Sequence, residues 1–315
     1  MKKIRVFCPA TIANISCGFD VLGVCLTTIG DEIEISEVPE KGLRIRAIEG
    51  ADLPLEVEKN VAGVAAMAFL KALTIPVEHG FEIVLKKRIK AGSGIGSSAA
   101  SAAGVVFALN ELMGKPFSTI SLIRFAMEGE RLACGTAHAD NVAPALLGGF
   151  TVIRSYHPLD VVKIAAPEEL VAVVIHPHIE LRTEDARAIL RKQITLKQAT
   201  VQSGNLAGLI CGLYTNDYEL IGRSLHDEII EPVRSILIPG FLKMKVAALQ
   251  AGALGSGISG SGPSVFALCK TEESALQVAK AMADELDAFQ IPYDVHISKI
   301  SDSGVKTLAP CSILV

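Results

Sequence analysis

The sequence contains no Cys-x-x-Cys pair and no regular spacing among its seven cysteines, which argues against a metal cluster or a disulfide framework. Most of the cysteines have apolar or small neighbours, as buried thiols do in a reducing compartment. The net charge is only −4, and the basic cluster Lys86–Arg88 is short. We therefore expect a cytoplasmic protein whose main partner is neither nucleic acid nor an anionic membrane surface.

Long apolar segments without glycine or proline are also missing. The uncharged stretches 91–110 and 246–269 contain several Gly and Ser residues, and the second contains Pro263. Buried segments of a soluble fold explain them better than membrane spans do. The N-terminal residues interleave charges with too short an apolar run for a signal peptide. No Gly-x-Ser-x-Gly occurs, which disfavours a serine hydrolase.

Strand-like and helix-like patterns are both present, in blocks. Strands are predicted at 4–7, 31–38, 43–48, 81–85, 150–156, 170–175, 265–269 and 293–300. Helices are predicted at 60–72, 97–112, 118–133, 183–191, over much of 196–251, and at 271–288. This order predicts an α+β chain with two domains, residues 1–155 and 156–315, joined by a soft boundary near 150–170.

The most informative segment joins the predicted strand 81–85 to the predicted helix 97–112. It reads Lys90-Ala91-Gly92-Ser93-Gly94-Ile95-Gly96-Ser97-Ser98-Ala99-Ala100. Glycines allow backbone N–H groups to turn inward, and a helix start adds positive potential, so this segment predicts a phosphate site. It lacks the Gly-x-x-x-x-Gly-Lys-Ser/Thr pattern. A dinucleotide fingerprint also fits the glycine spacing, but the acid expected about 20 residues further on is absent.

Three other segments carry candidate polar groups. Residues 9–20 are predicted as a loop in which Asn14 and Asp20 face a ligand, although ordinary turn chemistry explains both residue types. In residues 130–144, Glu130 and His138 are candidate ligands, although a solvated helical glutamate and a satisfied loop histidine are the simpler alternatives. Residues 255–264 form a second Gly/Ser loop, which either presents N–H groups to an anion or makes a hairpin turn.

These segments together, in this order, resemble the GHMP kinases over nearly the whole chain. Within that superfamily, residues 9–20, 138–145 and 231–241 and the final Gly/Ser loop look like the homoserine kinase family. Lys90 and Ile95 stand where that family usually has Pro and Leu, but neither change removes a glycine or a donor. The resemblance implies a ribosomal-protein-S5-domain-2-like nucleotide domain followed by a ferredoxin-like α/β domain.

The implied reaction transfers the γ-phosphoryl group of ATP to the side-chain hydroxyl of L-homoserine, on the route to threonine. The resemblance places ATP on residues 90–100, with Asn60 as a nucleotide contact and Lys87 near the base. It makes Ser98 and Glu130 the ligands of Mg²⁺, an ion that prefers hard oxygen donors. Family members are commonly dimers, and a homodimer is compatible with the sequence.

Homoserine carries an ammonium and a carboxylate, so its site needs an acid and a cation. The substrate residues that the resemblance implies are Asn14, Asp20, His138, Asn141, Thr183, Arg187, Arg234 and Gly260. Asp20 suits the ammonium, and the two arginines suit the carboxylate, which a planar guanidinium engages through both oxygens. The simpler alternatives are that Arg187 pairs with Glu184 one turn earlier and that Thr183 only caps a helix.

The catalytic base is the open question. Asn141 stands where some relatives have an aspartate, and an amide orients a hydroxyl but does not usefully accept a proton. We expect the proton to pass to the phosphoryl group or to water, with Asp140 as the rival base. Two alternative functions remain at this point. One is a kinase for mevalonate, shikimate or a sugar, and the other is a nucleotide-binding regulatory subunit without catalysis.

Overall fold

The computed structural model describes residues 1–309, apart from the side chain of Cys134. The strands are β1 (Lys3–Ala13), β2 (Leu22–Val38), β3 (Gly42–Glu49), β4 (Gly80–Lys86), β5 (Phe150–Tyr156), β6 (Leu159–Ile164), β7 (Val171–Pro177), β8 (Gly255–Ile258), β9 (Val265–Cys269), β10 (Tyr293–Lys299) and β11 (Lys306–Thr307). The helices are α1 (Val61–Lys71), α2 (Ser97–Leu112), α3 (Thr119–Cys134), α4 (Val142–Leu147), α5 (Thr183–Ala188), α6 (Leu196–Thr215), α7 (Tyr218–Ser224), α8 (Glu231–Arg234), α9 (Phe241–Gln250) and α10 (Glu272–Asp287). Single 3-10 turns occupy Val57–Lys59 and Ser235–Leu237.

The first sheet has the order β11-β1-β2-β4-β3, and β5 pairs with the start of β2 and with β6. Only the β3–β4 pair is parallel. Helix α2 packs against β1 and β2. Its alanine-rich sequence permits this close approach, since a Cβ on Gly104 would lie 2.1 Å from the Cys8 sulfur. Small residues on α2 therefore fix the position of the helix whose N-terminus follows the glycine segment.

The second sheet is antiparallel, in the order β10-β7-β9-β8. Every residue of β7 is buried, as expected for a strand covered on both faces. Val171, Val173 and Ile175 face the core beneath α9 and α10, whereas Ala172 and Val174 join the larger core of the first sheet. The two sheets thus share a packed boundary, and residues from both can border one cavity.

The predicted α+β class is confirmed, and most predicted elements form within a residue or two of their predicted bounds. Other predictions were wrong in detail. Strand β2 begins at Leu22 rather than at residue 31, residues 9–13 continue β1 as a strand, residues 255–258 form β8, and the helix at 183 ends at Ala188. The helix α4 and the short strands β6 and β11 were not predicted. Alternation in β6 and β11 is too brief to stand out in the sequence.

The division of the chain at residue 155 stays a prediction. The first sheet draws strands from both sides of that point, since β6 pairs with β5 and β11 pairs with β1. Cys8, Cys17, Cys25 and Cys269 are buried free thiols, Cys211 is exposed, and Cys311 lies outside the described residues. Among residues 1–309, no helix combines the length and apolar character needed to cross a bilayer.

Candidate active site

A cavity of about 380 Å³ opens between the glycine segment and the helices α3, α5 and α8. Residues 91–94 and 96–98 border one side, which we call the loop end. Asp20, Arg187 and Arg234 border another part of the same cavity, which we call the arginine end. The same cavity is also lined by Glu130, His138, Asp140 and Asn141. The structure therefore brings together most of the residues that were predicted from four separate segments.

The loop end is built from backbone. Gly96 precedes α2 with φ of +73°, and its lack of a side chain leaves the first N–H groups of the helix without a side-chain cap. Helix N-termini with free N–H groups bind anions. A Cβ on Gly96 would lie 2.1 Å from Oγ1 of Thr11, so only glycine fits there. Ser93 contributes a buried hydroxyl that has no hydrogen-bond partner among the described residues.

In the second Gly/Ser loop, several N–H groups that were candidates for an anion site already have partners. The N–H groups of Ser259, Gly260 and Gly262 all bond to backbone carbonyls, so they are not free for an anion. Instead, the hydroxyl of Ser259 donates to the Gly94 carbonyl over 2.7 Å, and the hydroxyl of Ser264 donates to the Ser93 carbonyl over 2.6 Å. This loop is the turn between β8 and β9, and it holds the first loop in place.

Several predicted ATP contacts do not border the cavity. Ile95, Ala99 and Ala100 are buried in the core behind the loop, and Lys90 extends outward to Asp294. Lys87 borders the cavity, but its ammonium is buried. It pairs with Asp31 and donates to the Ser97 carbonyl and the Ser101 hydroxyl, each over 2.8 Å. These three acceptors use all three of its N–H groups, and the placement of Lys87 near the base stays a prediction.

Glu130 lies near the C-terminal end of α3 and is buried rather than solvated. Burial raises the pKa of Glu130 to about 7, and the neighbouring hydroxyl of Ser98 and the charge of Lys87 oppose that rise. Its Oε1 has no hydrogen-bond partner among the described residues. A buried carboxylate oxygen beside a hydroxyl is a hard donor pair, and it lies where α2 begins.

At the arginine end, Asp20 and Arg187 form a bidentate salt bridge. Nη1 and Nη2 of Arg187 donate to the two carboxylate oxygens of Asp20 over 3.1 and 2.9 Å. Arg187 therefore does not pair with Glu184, the simpler alternative drawn from the sequence. Both Arg187 and Arg234 lie over the ring of Phe19, at 5.3 and 5.1 Å from its centroid. Phe19 was not singled out from the sequence, because an aromatic residue in a loop gives no signal of its own.

Arg234 is almost fully buried on α8. It donates to the carbonyls of Ala186 and Gly260, each over 3.1 Å, and within residues 1–309 it forms no ion pair. Burial and the charge of Arg187 lower the pKa of Arg234 to about 10, so it stays charged at neutral pH. A buried cation without a carboxylate partner is costly, and this cost is offset when an anion binds.

Between the two ends lie His138, Asp140 and Asn141, on the loop that leads into α4. Burial lowers the pKa of His138, and its Nε2 has no hydrogen-bond partner among the described residues. Burial, Asp20 and Glu130 raise the pKa of Asp140 to about 7. Oδ1 of Asn141 accepts a bond of 2.7 Å from the hydroxyl of Thr11. Thr11 therefore fixes the amide, a role that its position in β1 did not reveal.

Three further predicted residues line the cavity and also make hydrogen bonds that hold the local structure. Asn14 closes a turn, since its Oδ1 accepts from the N–H of Asp20 and its Nδ2 donates to the Gly260 carbonyl. Asn60 caps α1. Thr183 is the first residue of α5 rather than its cap, and its hydroxyl bonds to that of Ser261 over 3.1 Å. Turn chemistry thus explains Asn14, while Asp20 faces the cavity.

Comparison with known proteins identifies the family. The GHMP kinases N terminal domain matches residues 59–149, and the GHMP kinases C terminal domain matches residues 208–288. A homoserine kinase of Chlorobium phaeobacteroides strain BS1 is 47% identical, over 98% of this chain and all of the relative. One of Chlorobaculum tepidum is 44% identical, over 99% of this chain and all of the relative.

Solved structures agree. The homoserine kinase from Cytophaga hutchinsonii superposes with a TM-score of 0.94 at 52% identity, and the match covers 98% of each chain. A mevalonate kinase from Leishmania major reaches a TM-score of 0.70 at only 16% identity, so it shares the fold. The matched domains, the full-length identity and the superposition lead to one conclusion: the chain belongs to the homoserine kinase family of the GHMP kinases.

Proposed function

We propose that this cavity transfers the γ-phosphoryl group of ATP to the side-chain hydroxyl of L-homoserine, giving O-phospho-L-homoserine for threonine synthesis. One observation carries the proposal: the two ends of the cavity suit the two substrates. N–H groups without a side-chain cap and a buried carboxylate lie at the loop end, and a buried arginine without an ion pair in residues 1–309 lies at the arginine end. The family supplies the reaction, and the geometry suggests how each substrate is aligned.

ATP lies with its phosphates against residues 92–98, where the uncapped start of α2 borders the cavity. Phosphoryl transfer requires mainly alignment and charge neutralisation, and a rigid backbone cradle supplies both. The Ser93 hydroxyl, buried and without a partner among the described residues, is a further donor for this end. Ser259 and Ser264 keep the cradle in shape by binding its carbonyls.

Ser98 and Glu130 fit Mg²⁺. Glu130 has an oxygen without a partner in the described part of the chain, and Ser98 lies within hydrogen-bonding reach of its carboxylate. When bound, Mg²⁺ neutralises charge on the phosphates. Glu130 needs to be ionised to serve as a ligand. Its raised pKa, about 7, means that a cation at this position also stabilises the ionised form.

L-Homoserine lies at the arginine end. Arg234, which lacks a carboxylate partner in residues 1–309, binds the substrate carboxylate. Asp20 binds the ammonium, and Arg187 keeps Asp20 in position through their bidentate salt bridge. Asn141 orients the acceptor hydroxyl, since Thr11 already holds the amide oxygen and leaves Nδ2 as a donor.

Asp140 is the rival route for the hydroxyl proton, because its pKa of about 7 permits it to accept a proton at neutral pH. Our proposal sends the proton to the phosphoryl group or to water. We expect Asp140→Asn to retain turnover and Asn141→Ala to lose it without loss of ATP affinity. A large loss of turnover in Asp140→Asn, with Asn141→Ala unaffected, would reverse the two roles.

The function is tested by ADP release from MgATP in the presence of L-homoserine, L-serine, mevalonate, shikimate or galactose. We expect stimulation by L-homoserine above all, since a binding site for a zwitterion rejects acceptors that leave its charges unpaired. Stimulation only by an acceptor without an amino group would contradict the substrate assignment and leave the kinase fold standing. ATP binding with no stimulation by any acceptor would support a regulatory subunit.

A further inference from the structure

Three potential metal ligands meet at one end of the β7–β10 pair, outside the cavity. His176 lies near the end of β7, and His178 follows directly after that strand. Asp294 on β10 is paired with His176 across the two strands. Residues two apart on a strand share a face, and so do residues directly opposite on neighbouring strands. The strand register therefore brings both imidazoles and the carboxylate to the same surface.

The distances between these groups are close to those of a ligand set. Oδ2 of Asp294 lies 2.9 Å from Nε2 of His178 and 3.6 Å from Nδ1 of His176. One ligand atom from each of the three residues lies within 4.8 Å of the other two. A tetrahedral metal with bonds of about 2.1 Å separates its ligand atoms by roughly 3.4 Å. Small side-chain rotations are sufficient to reach that geometry.

A cation already contacts two of the three groups, because the ammonium of Lys90 lies against Asp294 and His178. Its Nζ is 2.8 Å from Oδ2 of Asp294 and 2.7 Å from Nε2 of His178. An ammonium only donates, so at that distance it directs N–H groups at a carboxylate lone pair and an imidazole lone pair. The two ligand atoms thus converge on one positive centre. Lys90 is half exposed and therefore free to swing away.

The chemistry of the ligands selects the type of ion. Two imidazole nitrogens and one carboxylate oxygen suit Zn²⁺, whereas Mg²⁺ prefers oxygen ligands. His176, His178 and Asp294 therefore offer mainly nitrogen ligands, whereas Ser98 and Glu130 offer only oxygen. His176 is nearly buried and is held by β7, while Asp294 is partly exposed, so an ion can approach from solvent.

We propose that His176, His178 and Asp294 form a Zn²⁺ site in which the metal replaces the ammonium of Lys90 and solvent completes the coordination. Metal and ammonium exclude each other, since both need the lone pairs of Asp294 and His178. Lys90 is the first residue of the glycine segment and directly precedes the loop end. Metal binding therefore releases the Lys90 side chain next to the loop end. The proposal does not depend on the identity of the phosphoryl acceptor.

The test is a titration of the EDTA-treated, nucleotide-free protein with Co²⁺, which reports its coordination through visible absorption, followed by displacement with Zn²⁺. We expect one bound Co²⁺ per chain. His178→Ala and Asp294→Asn each weaken binding by at least about tenfold, since losing even an outer partner of a ligand costs that much. Lys90→Met strengthens binding, because the competing ammonium is gone.

His226→Ala is the matched control, since it removes an exposed histidine that is paired with Glu228 elsewhere. It leaves binding unchanged if the proposal holds. Circular dichroism checks that each variant folds, and the gain in Lys90→Met itself requires a folded site. Equal losses in His178→Ala and His226→Ala would overturn the proposal. Loss of Co²⁺ binding in Glu130→Gln but not in Asp294→Asn would also overturn it, by moving the ion to the cavity.

Discussion

The loop end of the cavity is bordered mainly by the backbone of one segment, whereas the arginine end is bordered by side chains from distant elements. The loop end is a continuous segment, residues 91–98, and its geometry follows from glycine at positive φ. The arginine end combines Asp20 from the loop after β1, Arg187 from α5 and Arg234 from α8. One end is local in sequence, and the other is assembled by the fold.

This difference has a physical consequence for specificity. Backbone N–H groups and a helix N-terminus recognise phosphate in any nucleotide, so the loop end is suited to a substrate that many kinases share. Charged side chains at fixed distances recognise the spacing of an ammonium and a carboxylate. Members of one superfamily can therefore keep the loop end and differ at the arginine end.

The largest effect is expected from Glu130→Gln, which removes the buried carboxylate from the loop end while keeping its shape. We expect kcat to fall on the order of 1000-fold, because under the proposed function Glu130 would hold the Mg²⁺ that neutralises charge on the transferring phosphoryl group. Steady-state ADP release at saturating substrates measures it. Glu128→Gln, on the same helix but exposed and paired with Arg131, is the control and keeps its activity. A loss below about threefold in Glu130→Gln would remove this carboxylate from the mechanism.

Gly96→Ala tests whether the loop end depends on glycine. The new Cβ would meet Oγ1 of Thr11 at 2.1 Å and Oδ1 of Asn141 at 3.2 Å, so the loop must shift. A shift of about 1 Å lowers kcat/KM for ATP on the order of 100-fold. Gly114→Ala has a similar φ, +78°, but its Cβ meets nothing within 4 Å. Gly114→Ala therefore measures the effect of backbone strain alone. Equal losses of kcat/KM for ATP in both variants would show that the contact with Thr11 is unimportant.

Asp140→Asn tests the raised pKa of Asp140 through the pH dependence of stability. The pKa of Asp140 rises from 3.8 to about 7 on folding, so the unliganded folded protein keeps a proton that the unfolded chain releases above pH 4. Stability therefore falls as pH rises from about 4 to 7, and the asparagine variant lacks this loss. We expect the variant to gain about 2 kcal/mol over the parent between those pH values. Urea unfolding at several pH values measures it, and Asp52→Asn is the exposed control. A pH-independent difference would contradict the raised pKa.

Thr11→Val is expected to have the smallest effect. It removes the hydroxyl that donates to Asn141 and leaves the volume of the side chain almost unchanged. Turnover should fall about fivefold while KM for ATP stays constant, since one neutral hydrogen bond contributes about 1 kcal/mol. Kinetics at varied ATP separate the two quantities. An increased KM for ATP with unchanged kcat would place Thr11 with the loop end instead.

The comparison also explains what the sequence could and could not reveal. The glycine segment was readable because spacing, flanking strand and helix start lie within about twenty residues. The position of Glu130 followed from the family alone, since its burial depends on the packing of α3 against α2. The Asp20–Arg187 contact joins residues far apart in the chain, and no local pattern reports such a contact.

Two further segments show what local composition leaves undecided. Lys87 stands near the phosphate loop in sequence, but the buried Asp31 on β2 takes up its charge, and only the sheet register places them together. The second Gly/Ser loop has the composition of an anion site. The N–H groups of Ser259, Gly260 and Gly262 are nevertheless bonded to Ala13 and within the turn itself, which the sequence does not show. Composition indicates which groups are available, and tertiary contacts decide which remain free.

The most direct test of the division between the two ends is two-substrate kinetics on Arg234→Lys, with the exposed Arg223→Lys as control. Lysine keeps the charge but loses the planar pair of donors that a carboxylate prefers. The account predicts that KM for L-homoserine rises at least about tenfold while KM for ATP changes less than about threefold. Equal increases in both KM values, or none in that for L-homoserine, would contradict it.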